Sequence, residues 1–169
     1  MRLWQRRLHR NVIVDTTKRL LYNSSNRFFF GEIMLECLII GDSIAVGTHQ
    51  FSKHCAEYAK GGINTSQWNK MYSSKDLTSR NVIISLGTND HSGVHTFKEL
   101  MVMRQRVDAD RVFWIMPPCN DKFCKPAVNE IVELIAKNFG DTVIGTQKLQ
   151  PDGIHPSWAG YKEIVSKTK

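Results

Sequence analysis

The chain reads as an α/β domain, a five-stranded parallel sheet with helices on both faces. Short apolar runs bounded by Gly, Pro or Asn recur along it, with helix-length segments between them. Its 169 residues, 41% hydrophobic and 23% charged, suit one self-sufficient core. Residues 35–40 (LECLII) form the first run, as a buried parallel strand should, and Gly41-Asp42-Ser43 turns the chain into a helix over 44–54. A brief strand at 56–59 ends at Gly61-Gly62 and precedes a helix over 65–72. The clearest strand, 82–86 (VIISL), is closed by Gly87-Thr88-Asn89-Asp90, and a helix follows over 97–107. A fourth strand at 111–116 stops at Pro117-Pro118. Val128, Ile131, Val132, Leu134 and Ile135 mark an amphipathic helix over 126–139 that ends at Gly140. A short strand at 142–144 and a helix over 158–165 complete the alternation, which right-handed crossovers arrange as a parallel sheet.

Composition narrows the function classes. No apolar run approaches the roughly 18 residues of a membrane span, and 11 Gly and 5 Pro show no period. The net charge of +7 suggests nucleic acid until it is divided along the chain. Residues 1–33 carry seven Lys/Arg and two acids; residues 34–169 carry 16 and 14, a net of only +2. The basicity therefore belongs to the first 33 residues, read as a peripheral basic extension, and the working domain is placed at 34–169. Nucleic acid is not the expected partner. The Arg-rich start shows no continuous apolar leader, so the expectation is a cytoplasmic protein with reduced Cys37, Cys55, Cys119 and Cys124. A local Cys119–Cys124 bridge is the alternative. Trp68, Trp114 and Trp158 are expected to be core or sheet-covering residues.

In an open parallel sheet, chemistry collects beyond the carboxyl ends of the strands. There the sequence places Ser43 after the first strand, Gly61-Gly62 after the second, Asn89 and Asp90 after the third, and Asp152-Gly153-Ile154-His155 after the fifth. Each has a use in acyl transfer. A hydroxyl is a poor nucleophile until a base takes its proton, which His155 can do while Asp152 holds the other ring nitrogen. Among the six histidines, only His155 has a carboxylate three residues before it. The Ser43 N–H, the Gly62 N–H and the Asn89 amide can stabilise a developing oxyanion. Asp90 is read as a loop-ordering acceptor and Asp42 as a brace for the turn. His91 and His95 could border the pocket, but are expected as solvated loop residues.

Together, Gly41-Asp42-Ser43, Gly62, Gly87-Thr88-Asn89-Asp90 and Asp152-x-x-His155 resemble the four blocks of the SGNH, or GDSL-type, hydrolase superfamily. The resemblance spans about residues 35–165. It implies a flavodoxin-like three-layer α/β/α sandwich and ester hydrolysis with no metal or cofactor. Ser43, His155 and Asp152 become a catalytic triad, and Ser43, Gly62 and Asn89 an oxyanion hole. The short chain, without lid insertions, favours short acyl groups, with O-acetyl esters of carbohydrate placed first. Lysophospholipids or thioesters come second. The rival from another class is a non-catalytic module that binds glycan or a partner protein.

Overall fold

The computed structural model describes residues 34–169; the basic extension expected at 1–33 lies outside the described residues. Five strands, β1 (Cys37–Gly41), β2 (Ala56–Ala59), β3 (Thr78–Ser85), β4 (Asp108–Ile115) and β5 (Thr142–Ile144), alternate with five helices. These are α1 (Ser43–Gln50), α2 (Thr65–Met71), α3 (Thr96–Gln105), α4 (Pro126–Phe139) and α5 (Trp158–Lys167). All strand pairings are parallel, in the order β2-β1-β3-β4-β5. The order reverses between β1 and β3, which pair as Ile39↔Ile83 and Gly41↔Ser85. The crevice of an open α/β sheet opens at such a reversal.

Alternation along the strands builds a core on each face. Leu38 and Ile40 of β1 join Trp68, Leu100, Met103, Val132 and Ile135 beneath α2, α3 and α4. Cys37 and Ile39 face the other way, with Ile44, Ala45, Tyr161 and Ile164 of α1 and α5. The result is the expected three-layer sandwich. On the first face, Arg104 donates to both carboxylate oxygens of Asp141, at 2.6 and 2.7 Å, and the Trp114 indole donates to the same group at 2.8 Å. That buried ion pair is satisfied on both sides, the condition under which burying charge is tolerated.

Three expectations need correction. β3 and β4 each begin earlier than their apolar runs, because Thr78↔Asp108 and Ser79↔Ala109 extend the ladder. Hydrophobic runs mark only the doubly covered part of a strand. The cysteines are not reduced thiols: Cys37–Cys55 joins the start of β1 to the approach to β2, and Cys119–Cys124 closes the loop after β4. Trp68 and Trp114 are fully buried, but Trp158 is 77% exposed. It opens α5 with Phe51 edge-on at 5.4 Å as a brace instead of a covering layer.

Candidate active site

β1 ends at Gly41, whose φ of +143° swings the chain out of the sheet, and the Asp42 N–H closes the turn on the Ser85 carbonyl at 2.9 Å. Asp42 caps α1, accepting the Ile44 N–H at 2.9 Å and the Ser85 hydroxyl at 3.0 Å. Ser43 is therefore the first residue of α1, half-buried at the sheet edge. Among the described residues its N–H donates to no protein acceptor, as the first N–H groups of a helix have none within it.

Burial raises the Asp42 carboxyl from 3.8 to about 6, although the Ile44 N–H and Ser85 hydroxyl pull the other way. A raised carboxyl stabilises the fold below its unfolded value and loses that contribution as pH rises through the folded one. Asp42→Asn removes the charge, so it is expected to gain stability at pH 8 relative to its effect at pH 4. The difference should be on the order of 2–3 kcal/mol. Urea denaturation of both proteins at the two pH values measures it; an equal effect at both would refute it.

The second half of the site is a tight turn after β5. Asp152 Oδ1 accepts the N–H groups of Ile154 and His155 at 2.8 and 3.0 Å, while Oδ2 lies 2.7 Å from His155 Nδ1. With Nδ1–H donating to Asp152, Nε2 is left to accept from the Ser43 hydroxyl, 2.9 Å away across 112 residues of chain. The hydrogen bond from His155, helped by the Ile154 N–H, lowers the Asp152 carboxyl to about 2. Asp152 is thus ionised throughout the neutral range. The turn is propped by the disulfide-closed loop: Asn120 donates to the Gly153 carbonyl at 2.7 Å and Lys122 to the Pro151 carbonyl at 2.6 Å.

The remaining predicted residues gather at the same edge. Gly61 passes closest to Ser43, since a Cβ there would sit 4.0 Å from the Ser43 Cβ. Gly62 follows in the left-handed region at φ +72°, with open space where a side chain would start. Its glycine serves the backbone conformation, not a close approach. Among the described residues the Gly62 N–H has no acceptor. Asn89 Nδ2 donates one hydrogen to the Ile63 carbonyl at 3.1 Å, which fixes the amide beside the Gly62 loop and leaves its second hydrogen. Asp90 is buried and takes the Thr65 N–H at 2.8 Å and the Thr65 hydroxyl, binding the loop after β3 to the start of α2. Asp90 is the loop-ordering acceptor expected of it.

Sequence reasoning missed several supports. Ser85 anchors Asp42 from the end of β3. Lys125 donates to the Asp90 carbonyl. Tyr161, lifted to about 12 by burial and by the charges of Asp42 and Asp152, packs against Gly47. Ser85 alone left a trace, as a polar residue inside an apolar run. His91 receives the Gly93 N–H in its own exposed loop, and neither it nor His95 is bonded to the Ser43 group. The one group of potential metal ligands among the described residues is Cys37, His54 and Cys55. It lies at the amino ends of β1 and β2, away from Ser43, with both sulfurs in a disulfide.

No protein-family model matches the sequence, and no curated protein does either. Solved structures do match. One is a protein from Bacteroides fragilis assigned as an acylhydrolase, with a TM-score of 0.60 at 15% identity, covering 89% of this chain and 92% of that one. Another is the C-terminal catalytic domain of peptidoglycan O-acetyltransferase A from Streptococcus pneumoniae. Its TM-score is 0.54 at 16% identity, and the match covers 80% of this chain and 93% of that one. The fold is shared with both. No helix among the described residues is long and apolar enough to cross a membrane.

Proposed function

We propose that this protein is a serine ester hydrolase of the SGNH type that removes short acyl groups, O-acetyl groups on carbohydrate in the first place. The reading rests on one observation, the chain of contacts Ser43 Oγ–His155 Nε2 at 2.9 Å and His155 Nδ1–Asp152 Oδ2 at 2.7 Å. Ser43 attacks the ester carbonyl as His155 takes its proton. The oxyanion is met by the Ser43 and Gly62 N–H groups and the Asn89 amide, donors whose individual loss costs about 10²–10³ in rate in such sites. The imidazolium, stabilised by ionised Asp152, gives its proton to the departing alcohol. Water, activated by the same ring, then releases the acid and frees Ser43. Trp158, exposed three residues past the base and held by Phe51, offers a flat apolar face of the kind a sugar ring can stack on. The two disulfides favour an oxidising setting over the cytoplasm.

Labelling of the intact chain with a fluorophosphonate, with Ser43→Ala as control, tests the nucleophile directly. The pH profile tests the base. Asp152 stays ionised down to about pH 2, so above pH 4 it adds no proton of its own to the pH dependence of kcat/KM. Asp152→Asn should lower kcat/KM by about 10²–10⁴, because it disfavours the tautomer that points Nε2 at Ser43. The same profile surviving in His155→Ala would place the base elsewhere, with His91 and His95 the next candidates.

A further inference from the structure

Beside the oxyanion donors lies a groove of about 590 Å³ lined by Lys60, Gly61, Gly62, Ile63, Gln67, Lys70 and Met71. Two cations line it and no carboxylate does. Neither ammonium meets a carboxylate among the described residues, whereas the acids of neighbouring segments are occupied. Glu57 is taken by His49 at 3.0 Å, Asp90 by Thr65, and Glu99 by the Asn69 amide at 2.7 Å.

The walls are held in place. The Lys60 N–H bonds the Gly41 carbonyl at 3.0 Å, and its own carbonyl receives the Ile63 N–H at 3.3 Å. Lys60 therefore rides on the loop that carries Gly62. Gln67 is pinned by a capping box with Asn64, and Lys70 and Met71 follow it three and four residues on, along the same face of α2. Because residues 34–169 carry a net charge of only +2, this concentration of positive charge next to the reacting centre is not a sample of a generally basic surface.

We infer that the groove is a specificity subsite for a carboxylate carried by the ester, with Lys60 and Lys70 as its cationic walls. This rests on the proposed esterase reading for its chemistry, though not for its charge. The carboxylate can belong to the alcohol part, as in an acetylated uronic acid, or to the acyl part, as in the half ester of a dicarboxylic acid. Exposed charge pairs are individually weak, so two lysines should raise kcat/KM for an anionic ester about five- to tenfold over its neutral counterpart at low salt. The preference should fade by about 0.5 M NaCl as the charges are screened.

Two kinetic arms separate the sources. One compares O-acetylated methyl galacturonoside with its methyl ester; the other compares the 4-nitrophenyl half ester of adipate with 4-nitrophenyl hexanoate. The expected result is a preference for the anion in one arm that names the part carrying it. That ratio should fall toward one in Lys60→Gln/Lys70→Gln and return in Lys60→Arg/Lys70→Arg. Ratios near one in both arms for the unaltered protein overturn the inference while leaving the esterase reading intact. Binding of trigalacturonate and of maltotriose to the Ser43→Ala chain, followed calorimetrically at low salt, decides the matter for the alcohol part without catalysis. Charge-selective binding lost in the double Gln variant supports the subsite even if no ester is turned over. If no ester is turned over, binding of neither sugar, or equal binding of both, overturns it.

Discussion

Ser43→Ala is expected to lower kcat for a short 4-nitrophenyl ester by at least about a thousandfold while leaving the fold intact. The hydroxyl is the one atom at the site that both reaches His155 Nε2, at 2.9 Å, and lies beside the proposed oxyanion donors. Its removal creates little space, since Ser43 is only half-buried and its place at the start of α1 is maintained by the Asp42 cap. His155→Ala should lose a similar factor, and the double variant hardly more than either alone, because nucleophile and base act as a unit. Activity retained above about a thousandth of the unaltered protein, or losses that multiply, would remove Ser43 from the reaction. Absence of turnover in the unaltered chain, for acetyl, lysophospholipid and thioester substrates alike, would favour the non-catalytic binding reading. Preserved circular dichroism and an unchanged urea midpoint separate chemistry from folding.

The largest expected effect on stability belongs to Gly41→Ala. A Cβ at this position would lie 1.9 Å from the Ser85 carbonyl oxygen and 2.7 Å from its carbon, and the φ of +143° is one that L residues rarely adopt. The obstruction is backbone of the central strand β3, paired with β1 at this register, so no side chain can swing aside. Relief requires prying the two central strands apart beneath Ser43. A loss of at least about 4 kcal/mol is expected, in the range reserved for core disruption and backbone strain. Urea denaturation measures it directly, and a loss below about 1 kcal/mol would contradict the geometry. Gly62→Ala is the informative contrast. It meets open space, so its cost should be limited to the left-handed φ, on the order of 1 kcal/mol. Any larger fall in kcat would then report on the oxyanion loop.

The alternation of apolar runs with helix-length segments determined the fold class, because a strand covered on both faces must be apolar almost throughout. For the same reason Val82 to Ser85 were legible as strand, while Thr78 and Ser79, paired at the ladder's polar end, were not. The site's chemistry was also local in part: Asp152 and His155 meet within one turn, so their spacing alone announced the pair.

The sequence set Ser43 on the same edge as that pair and the family resemblance implied their contact, but the 2.9 Å distance is a product of the fold. The contact spans 112 residues and joins the start of α1, after β1, to the turn after β5, two strands that β3 and β4 separate in the sheet. The local Cys119–Cys124 bridge was open as an alternative in the sequence, but only the tertiary structure paired Cys37 with Cys55, since disulfide formation turns on the separation of Cα atoms, here 4.7 Å for residues 18 apart in sequence. It alone exposed Trp158, because an indole at the first turn of a helix lies inside or outside according to what packs there, and a composition of aromatics carries no such information. The lysine groove belongs to the same class. Lys60 and Lys70 are unremarkable as residues, and they acquire a direction only when β2 and α2 bring them to the loop that holds Gly62.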